Sequence, residues 1–352
     1  MKRAVLCVLL LAAACPWAVA ADEYPVKVYP CPRLSAPPVI DGSPDDACWA
    51  AAPLVSGFTR YNKPVLLDVQ ASFRVGYDDR CLYFAVLCDE PLAAKLTPTF
   101  AGRDSSGCFR GETIEIFLDP RHDHTDYYQF AVNLAGSFYD SHKADAYWNS
   151  TARLGTKLGA KGWTLELAIP WRDVGLPAPR PGAVVGFNVC RDRYAGGARE
   201  WSNWSQTMAN FHDAPRFGHL VLSPTDKMLA SLAPELRRGD RRGPIVLFTR
   251  EGEAGRAYLA MAREALRGLV AQLAELEAEA AREGSPAARD ELARRLADAR
   301  QLVAPFRKRI AQAGAKLDAA EWTRMSVAMT RLGARLGELV WDARLAALLS
   351  GI

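Results

Sequence analysis

Alternation of apolar and polar positions dominates the first two-thirds of the chain. Val69, Ala71, Phe73, Val75 and Tyr77 alternate with Asp68, Gln70, Ser72, Arg74 and Gly76, the period of a half-buried strand. Asp78-Asp79-Arg80 reads as a turn, and the apolar run Cys81–Cys88 completes a hairpin. Ile114, Ile116 and Leu118 alternate with Thr113, Glu115 and Phe117, and Tyr128, Phe130 and Val132 with Tyr127, Gln129, Ala131 and Asn133. Trp163, Leu165, Leu167 and Ile169 alternate with Thr164, Glu166 and Ala168. Short, closely spaced strands rich in aromatic and β-branched residues predict an antiparallel β-sandwich over residues 25–224, of immunoglobulin-like or jelly-roll type. Helix there should be limited to turns near Ser43–Ala50 and Trp171–Val174.

The period changes after Pro224. Residues 225–249, with Arg237-Arg238-Gly239-Asp240-Arg241-Arg242-Gly243-Pro244, read as a solvated linker, and 250–352 as three helices. Leu259, Ala262, Leu266, Leu269, Leu273 and Leu276 form a seam at spacings of three and four. Gly284-Ser285-Pro286 stops that helix and starts the next, whose face is Leu292, Leu296, Ala299, Val303, Phe306 and Ile310, with a kink expected at Pro305. Asp318 can cap the third, with seam Trp322, Met325, Met329, Leu332, Leu336 and Leu339. Short connections make the three antiparallel neighbours in a bundle, and a spacer or oligomerising stalk is its expected role.

The N-terminus adds a compartment. Lys2 and Arg3, the apolar stretch Ala4–Ala14 and Ala18-Val19-Ala20 have the form of a secretory signal over residues 1–20, so a secreted, extracytoplasmic protein is expected, at the cell surface or in a periplasm. Cys15 in Leu11-Ala12-Ala13-Ala14-Cys15 also faintly matches a lipoprotein signal. No other apolar run could span a bilayer. Six of the eight cysteines would remain after export: Cys31, Cys48, Cys81, Cys88, Cys108 and Cys190. Their even number in an exported β domain suggests disulfides, although Cys81 and Cys88 point to opposite faces of one strand. The net charge of +4 is too small to imply nucleic acid, and the positive excess lies in the tail.

Strand parity places candidate chemistry. If Ile114 and Phe130 face the core, Thr113, Glu115, Phe117, Gln129, Ala131 and Asn133 share the opposite face. Carboxylate, amide and aromatic groups are what sugars require: planar partners for hydroxyls and a ring for the apolar C–H side. Catalysis finds little support. There is no nucleophile elbow, no HExxH and no phosphate loop, and Glu112 and Glu115 face opposite sides, which argues against a glycosidase pair. The acidic loop Asp119, Asp123 and Asp126 flanks His122 and His124 and could hold calcium, but lacks DxDxDG; no other cofactor is indicated. Glu166 could pair with an arginine such as Arg191. Trp201 and Trp204 could extend a binding surface or cover one end of the sandwich.

The segments IDGSPDDACWA (40–50), GETIEIFLDP (111–120), YYQFAVNLAGSFYD (127–140), GWTLELAIPW (162–171) and GFNVCRDR (186–193), in this order, resemble the carbohydrate-binding module family 9-like domain, a sandwich related to the DOMON group. The resemblance implies two aromatics that clamp a terminal sugar. They fall at Phe109 and Phe211, with a carboxylate at Glu115. The family's other hydrogen-bonding positions fall on Ala131, Cys190 and Met208, which cannot do that work, and Gln129, Asn133, Arg191 and Arg193 are near enough to substitute. An oligo- or polysaccharide is therefore the expected partner of a non-catalytic protein. A scaffolding protein that has lost the sugar site is the first alternative. The second is a haem-binding DOMON-type domain, for which Met208, His212 and His219 are the available axial ligands.

Overall fold

The computed structural model describes residues 24–143, 145–176, 179–238, 243–312 and 316–350, with the side chains of 349 and 350 left aside. The expected signal at residues 1–20 lies outside the described residues. In chain order the strands are β1 (Val26–Cys31), β2 (Thr59–Arg60), β3 (Ala71–Tyr77), β4 (Cys81–Asp89), β5 (Thr113–Asp119), β6 (Tyr128–Asn133), β7 (Phe138–His142), β8 (Arg153–Gly159), β9 (Gly162–Pro170), β10 (Val184–Arg193), β11 (Glu200–Asn203) and β12 (Gly218–Leu222). Short helices α1 (Asp226–Ser231) and α2 (Ala233–Leu236) come next, then β13 (Ile245–Leu247) and the small hairpin β14 (Gly252–Glu253) and β15 (Arg256–Ala257). Helices α3 (Tyr258–Arg282), α4 (Pro286–Gln312) and α5 (Ala319–Ser350) end the chain.

Two sheets pack face to face. One runs β3-β4-β9-β8; the other runs β13-β1-β12-β10-β5-β6-β7, with β11 on β10 and β2 on β11. The alternating positions decide what lies between them. Phe73, Val75, Phe84, Val86, Leu165 and Leu167 of the first sheet meet Ile114, Ile116, Phe130, Val132, Phe187, Val189 and Leu220 of the second in one buried core, with Trp163 and Trp171 also buried in it. The sandwich is not wholly antiparallel: β1 runs parallel to both β12 and β13, because chain distant in sequence closes that edge. The stretch expected as a linker holds α1, α2 and β13, and Phe248 just after β13 packs against Trp204 in the core, the rings tilted with centroids 5.3 Å apart. The six cysteines are all buried free thiols, so the disulfides suggested by their number are not formed. Cys31 and Cys88 pack in the core between the sheets, Cys48 and Cys81 in a cluster with Trp49 and Tyr83, and Cys190 with Phe117 and Phe217, while the Cys108 thiol faces the Ala131 and Ser137 carbonyls.

Helices α3, α4 and α5 pack around Leu269, Leu273, Leu276, Leu296, Val303, Met329 and Leu336, the residues of the seams read from spacing. The Asp318 carboxylate accepts from Glu321 N at 2.8 Å, capping α5 as its position suggested. No helix among the described residues is long and apolar enough to cross a membrane.

Candidate functional site

Register settles which side chains share the outer face of the larger sheet. Glu115 lies opposite Ala131 on β6 and Cys190 on β10; Phe117 lies opposite Gln129 and Asn188. Glu115 and Gln129 therefore meet diagonally, and Gln129 Nε2 donates to Glu115 Oε2 at 2.6 Å. Ser141 Oγ donates in turn to Gln129 Oε1 at 3.3 Å. This pair forms the floor of a cavity of about 430 Å³ lined by Phe109, Tyr139, Lys143, Arg199, Trp201, Asn210, Phe211 and His212.

The rings arrive on different elements. Phe109 ends a single 3₁₀ turn, Ser106–Phe109, that runs into β5. Ser105 caps that turn through Gly107 N, and Thr113 Oγ1 donates to the Cys108 carbonyl at 2.7 Å, so local hydrogen bonds fix where the ring points. Tyr139 on β7 meets it edge-on at 5.1 Å. Trp201 on β11 and Phe211 in the loop before β12 are 6.0 Å apart, and Tyr61 backs Trp201 at 5.0 Å. Phe211 is anchored among Phe117, Ala214 and Phe217. The Arg199 guanidinium lies 4.2 Å from the Trp201 ring, and Tyr127 Oη is 3.0 Å from His212 Nδ1.

The floor carries unusual acid chemistry. Glu115 is 5% exposed, and burial, reinforced by the neighbouring Asp192 charge, pushes its carboxyl up to about 8. Asp192, on the neighbouring strand β10, is raised to about 6, chiefly by burial, with Arg199 opposing. Asp192 Oδ1 accepts from Arg199 at 3.5 Å, and its Oδ2 is buried. At neutral pH Glu115 is a donor as well as an acceptor. Burial lowers His212, which is neutral there.

Of the residues expected at the site, Phe109, Glu115, Gln129 and Phe211 are brought together, and Asn133, Arg191 and Arg193 are not. Asn133 has the right parity but closes a turn: its Oδ1 accepts from Ala135 N and Ser137 N, and its Nδ2 donates to the Thr99 carbonyl. Arg191 lies opposite Ile114, on the core side. It is 1% exposed and bonded to the Gln70 and Asp89 carbonyls, Glu90 and Glu112. Arg193 pairs with Glu90 at 2.7 Å. Glu166 does not reach Arg191 either; it accepts from Asp41 N, Gly42 N and Trp49 Nε1. Trp201 lines the cavity, whereas Trp204 is core. The two histidines considered for haem serve separate places: His212 stands at the cavity, and His219 is buried 2.8 Å from His122 Nε2. Among the described residues no group of three or more His, Cys, Asp or Glu is arranged to hold a metal ion. In the acidic loop Asp119 accepts from Asp123 N and His124 N, and Asp126 contacts Arg121, His142 and Lys143.

Sequence reading missed Tyr139, Lys143, Arg199 and Asn210. The first two reach the cavity because β7 pairs with β6, and Arg199 and Asn210 flank β11 and the loop after it. None lies in a segment whose periodicity marks it.

A sandwich whose outer sheet face holds a ring-lined cavity over a paired amide and carboxyl is the architecture of a small-molecule recognition module. The chain belongs to the carbohydrate family 9 binding domain-like family, whose model matches residues 40–225. Among curated proteins it is similar to endo-1,4-beta-xylanase A of Thermotoga neapolitana, 30% identical over 197 residues, covering 53% of this chain and 17% of that protein. It is also similar to exoglucanase XynX of Acetivibrio thermocellus, 29% identical over 197 residues, covering 53% and 16%. The chain thus spans less than a fifth of the length of these relatives. Among solved structures, a family 9 carbohydrate-binding module from Caldicellulosiruptor kristjanssonii in complex with cellotriose is 22% identical, with a TM-score of 0.43, over 56% of this chain and 95% of that one.

Proposed function

We propose that this is an exported, non-catalytic carbohydrate-binding protein that takes the end of an oligo- or polysaccharide into the cavity between Phe109, Tyr139, Trp201 and Phe211. The observation that supports this most is the coincidence, in one cavity, of ring faces with the Glu115–Gln129 pair. Rings cover the C–H face of a pyranose, and a carboxyl and an amide in fixed relation satisfy adjacent hydroxyls. Glu115 is the one carboxyl among the described residues that line the cavity, and it is bonded to Gln129, whereas glycoside hydrolysis ordinarily uses two carboxyls facing the bond. The helical tail spaces the sandwich from its surroundings or joins copies of the chain.

A glycan array probed with the mature chain and with Phe109→Ala tests the reading. Binding by wild type that the variant loses is the expected result. No binding by a folded wild type to any glycan would overturn it and favour the scaffolding alternative.

A further inference from the structure

The charges around the cavity bear on which sugar it takes, an inference that rests on the cavity being a sugar site. A second cavity of about 540 Å³ adjoins the first, lined by Lys95, Thr97, Thr99, Arg110, Glu112 and Tyr194 among others. Contacts of Tyr194 link the two linings. Tyr194 Oη donates to the Phe109 carbonyl at 2.9 Å, and the Arg199 guanidinium lies 5.5 Å from the Tyr194 ring and 4.2 Å from the Trp201 ring. Tyr194, in the lining of the second cavity, is thus in contact with Phe109 and Arg199 of the first.

Across both cavities, every exposed charged side chain in the lining is a cation: Lys143 and Arg199 in the first, Lys95 and Arg110 in the second. The two acids in the lining are withdrawn. Glu115 is 5% exposed and held by Gln129; Glu112 is 5% exposed and accepts from Arg191, Tyr194 N and Ala195 N. Cations on a protein surface are usually balanced by nearby carboxylates, but here the balance is weak. Arg199 meets Asp192 only at 3.5 Å, and Lys143 meets Asp126 at 3.5 Å, an acid already bonded to Arg121 and His142. Lys95 and Arg110 have no ion-pair partner within 4 Å among the described residues. A neutral glycan would take from these four groups only hydrogen bonds to its hydroxyls. A carboxylate would gain charge-assisted hydrogen bonds, with the fork of Arg199 presenting parallel donors to its two oxygens.

We infer that the ligand is an acidic glycan built from uronate-bearing sugars, with its terminal ring between the aromatics, its carboxylate against Arg199 and Lys143, and its next residues passing Arg110 and Lys95. Titration calorimetry on the mature chain at low salt tests this with a short oligogalacturonate, its methyl ester, and a sulfated oligosaccharide of equal length. The acid should bind about tenfold or more tighter than the ester, and the difference should shrink as salt screens it. Arg199→Gln and Lys143→Gln should each bring the acid-to-ester ratio toward one; the Lys143 side chain is exposed, so that variant keeps the test open if Arg199→Gln misfolds. Equal or tighter binding of the ester overturns the acidic assignment while leaving the sugar site standing. Tighter binding of the sulfated probe overturns the carboxylate in favour of a sulfate ester. No binding by any of the three, nor by the neutral glycans of the array, removes the sugar reading itself.

Discussion

Glu115 shows at the scale of one residue how position governs chemistry. Its strand parity turns it away from the core, yet the rings around it and Gln129 take it out of water, and its carboxyl rises from the ordinary 4.5 to about 8. A carboxyl whose pKa rises on folding keeps in the folded state a proton that the unfolded chain gives up. Its contribution to stability is therefore present below the unfolded pKa and is lost as pH rises through the folded one, here between about 4.5 and 8. Over that window the cost approaches at most about 1.4 kcal/mol per pH unit for one proton. Glu115→Gln, which cannot ionise, should flatten the fall in stability between pH 5 and pH 8, and should gain on wild type as pH rises. Denaturant midpoints across that range check this; parallel curves for the two proteins would contradict it. The same residue shows what the sequence discloses. Alternation along β5 and β6 is enough to put Glu115 and Gln129 on one face, because both strands announce their buried side by Ile114, Ile116, Phe130 and Val132. Arg191 and Arg193 follow the same rule. They share the parity of Val185, Phe187 and Val189, which lie in the core, so the alternation of β10 itself turns both arginines to the core side, as their pairing with β5 shows. Their charge, which suggests a solvent-facing role, is what hides this: both are taken up by Glu90, and Arg191 also by Glu112.

At the scale of elements, legibility tracks how local the stabilising contacts are. The helical seams are legible in sequence order because helix periodicity is local, and Leu269, Leu273, Leu276, Met329 and Leu336 are buried accordingly. β13 is not legible: three residues after a basic stretch become a strand only because β1 offers an open edge, and its partners lie more than two hundred residues earlier. Periodicity also cannot say which helix face stays uncovered. On α5, Trp341, Leu345 and Leu348 fall on one side and are 67%, 44% and 70% exposed. Such a stripe at the end of a long helix suits contact between copies of the chain. Sedimentation of the mature chain at rising concentration should therefore reveal self-association, and Trp341→Ser should weaken it. A wild type that stays monomeric at all concentrations would count against this use of the tail.

The molecule as a whole is less divisible than its composition suggests. The shift after Pro224 reads as a boundary, but residues beyond it complete the sandwich. β13 extends the large sheet, Leu236 packs on Val26 and Val28, Phe248 enters the core, and Glu235 Oε1 lies 2.7 Å from His122 Nδ1. The bundle meets the sandwich through exposed ion pairs, Arg324 with Asp89 at 2.9 Å and Arg331 with Asp68, each worth at most about 1 kcal/mol, and across a cavity that Trp322, Thr323 and Ser326 line with Lys27, Trp204 and Phe248. A chain ended after Ala257 should thus melt close to the full protein's sandwich transition. One ended after Pro224 gives up Phe248, a loss of about 3–5 kcal/mol for such a ring, and should melt about 10 °C lower. Equal melting temperatures for the two truncations would show that the segment after 224 adds nothing to the fold.

The proposed sugar binding rests above all on the ring-lined cavity. Calorimetric titration of the tightest array glycan into wild type, Phe109→Ala, Phe211→Ala and the distant variant Trp322→Ala measures it directly. Loss of about tenfold or more in affinity on removing either cavity ring, with Trp322→Ala binding as wild type does, is the predicted result. Unchanged affinity in both phenylalanine variants, each shown to be folded, would contradict it and place the sugar elsewhere on the molecule.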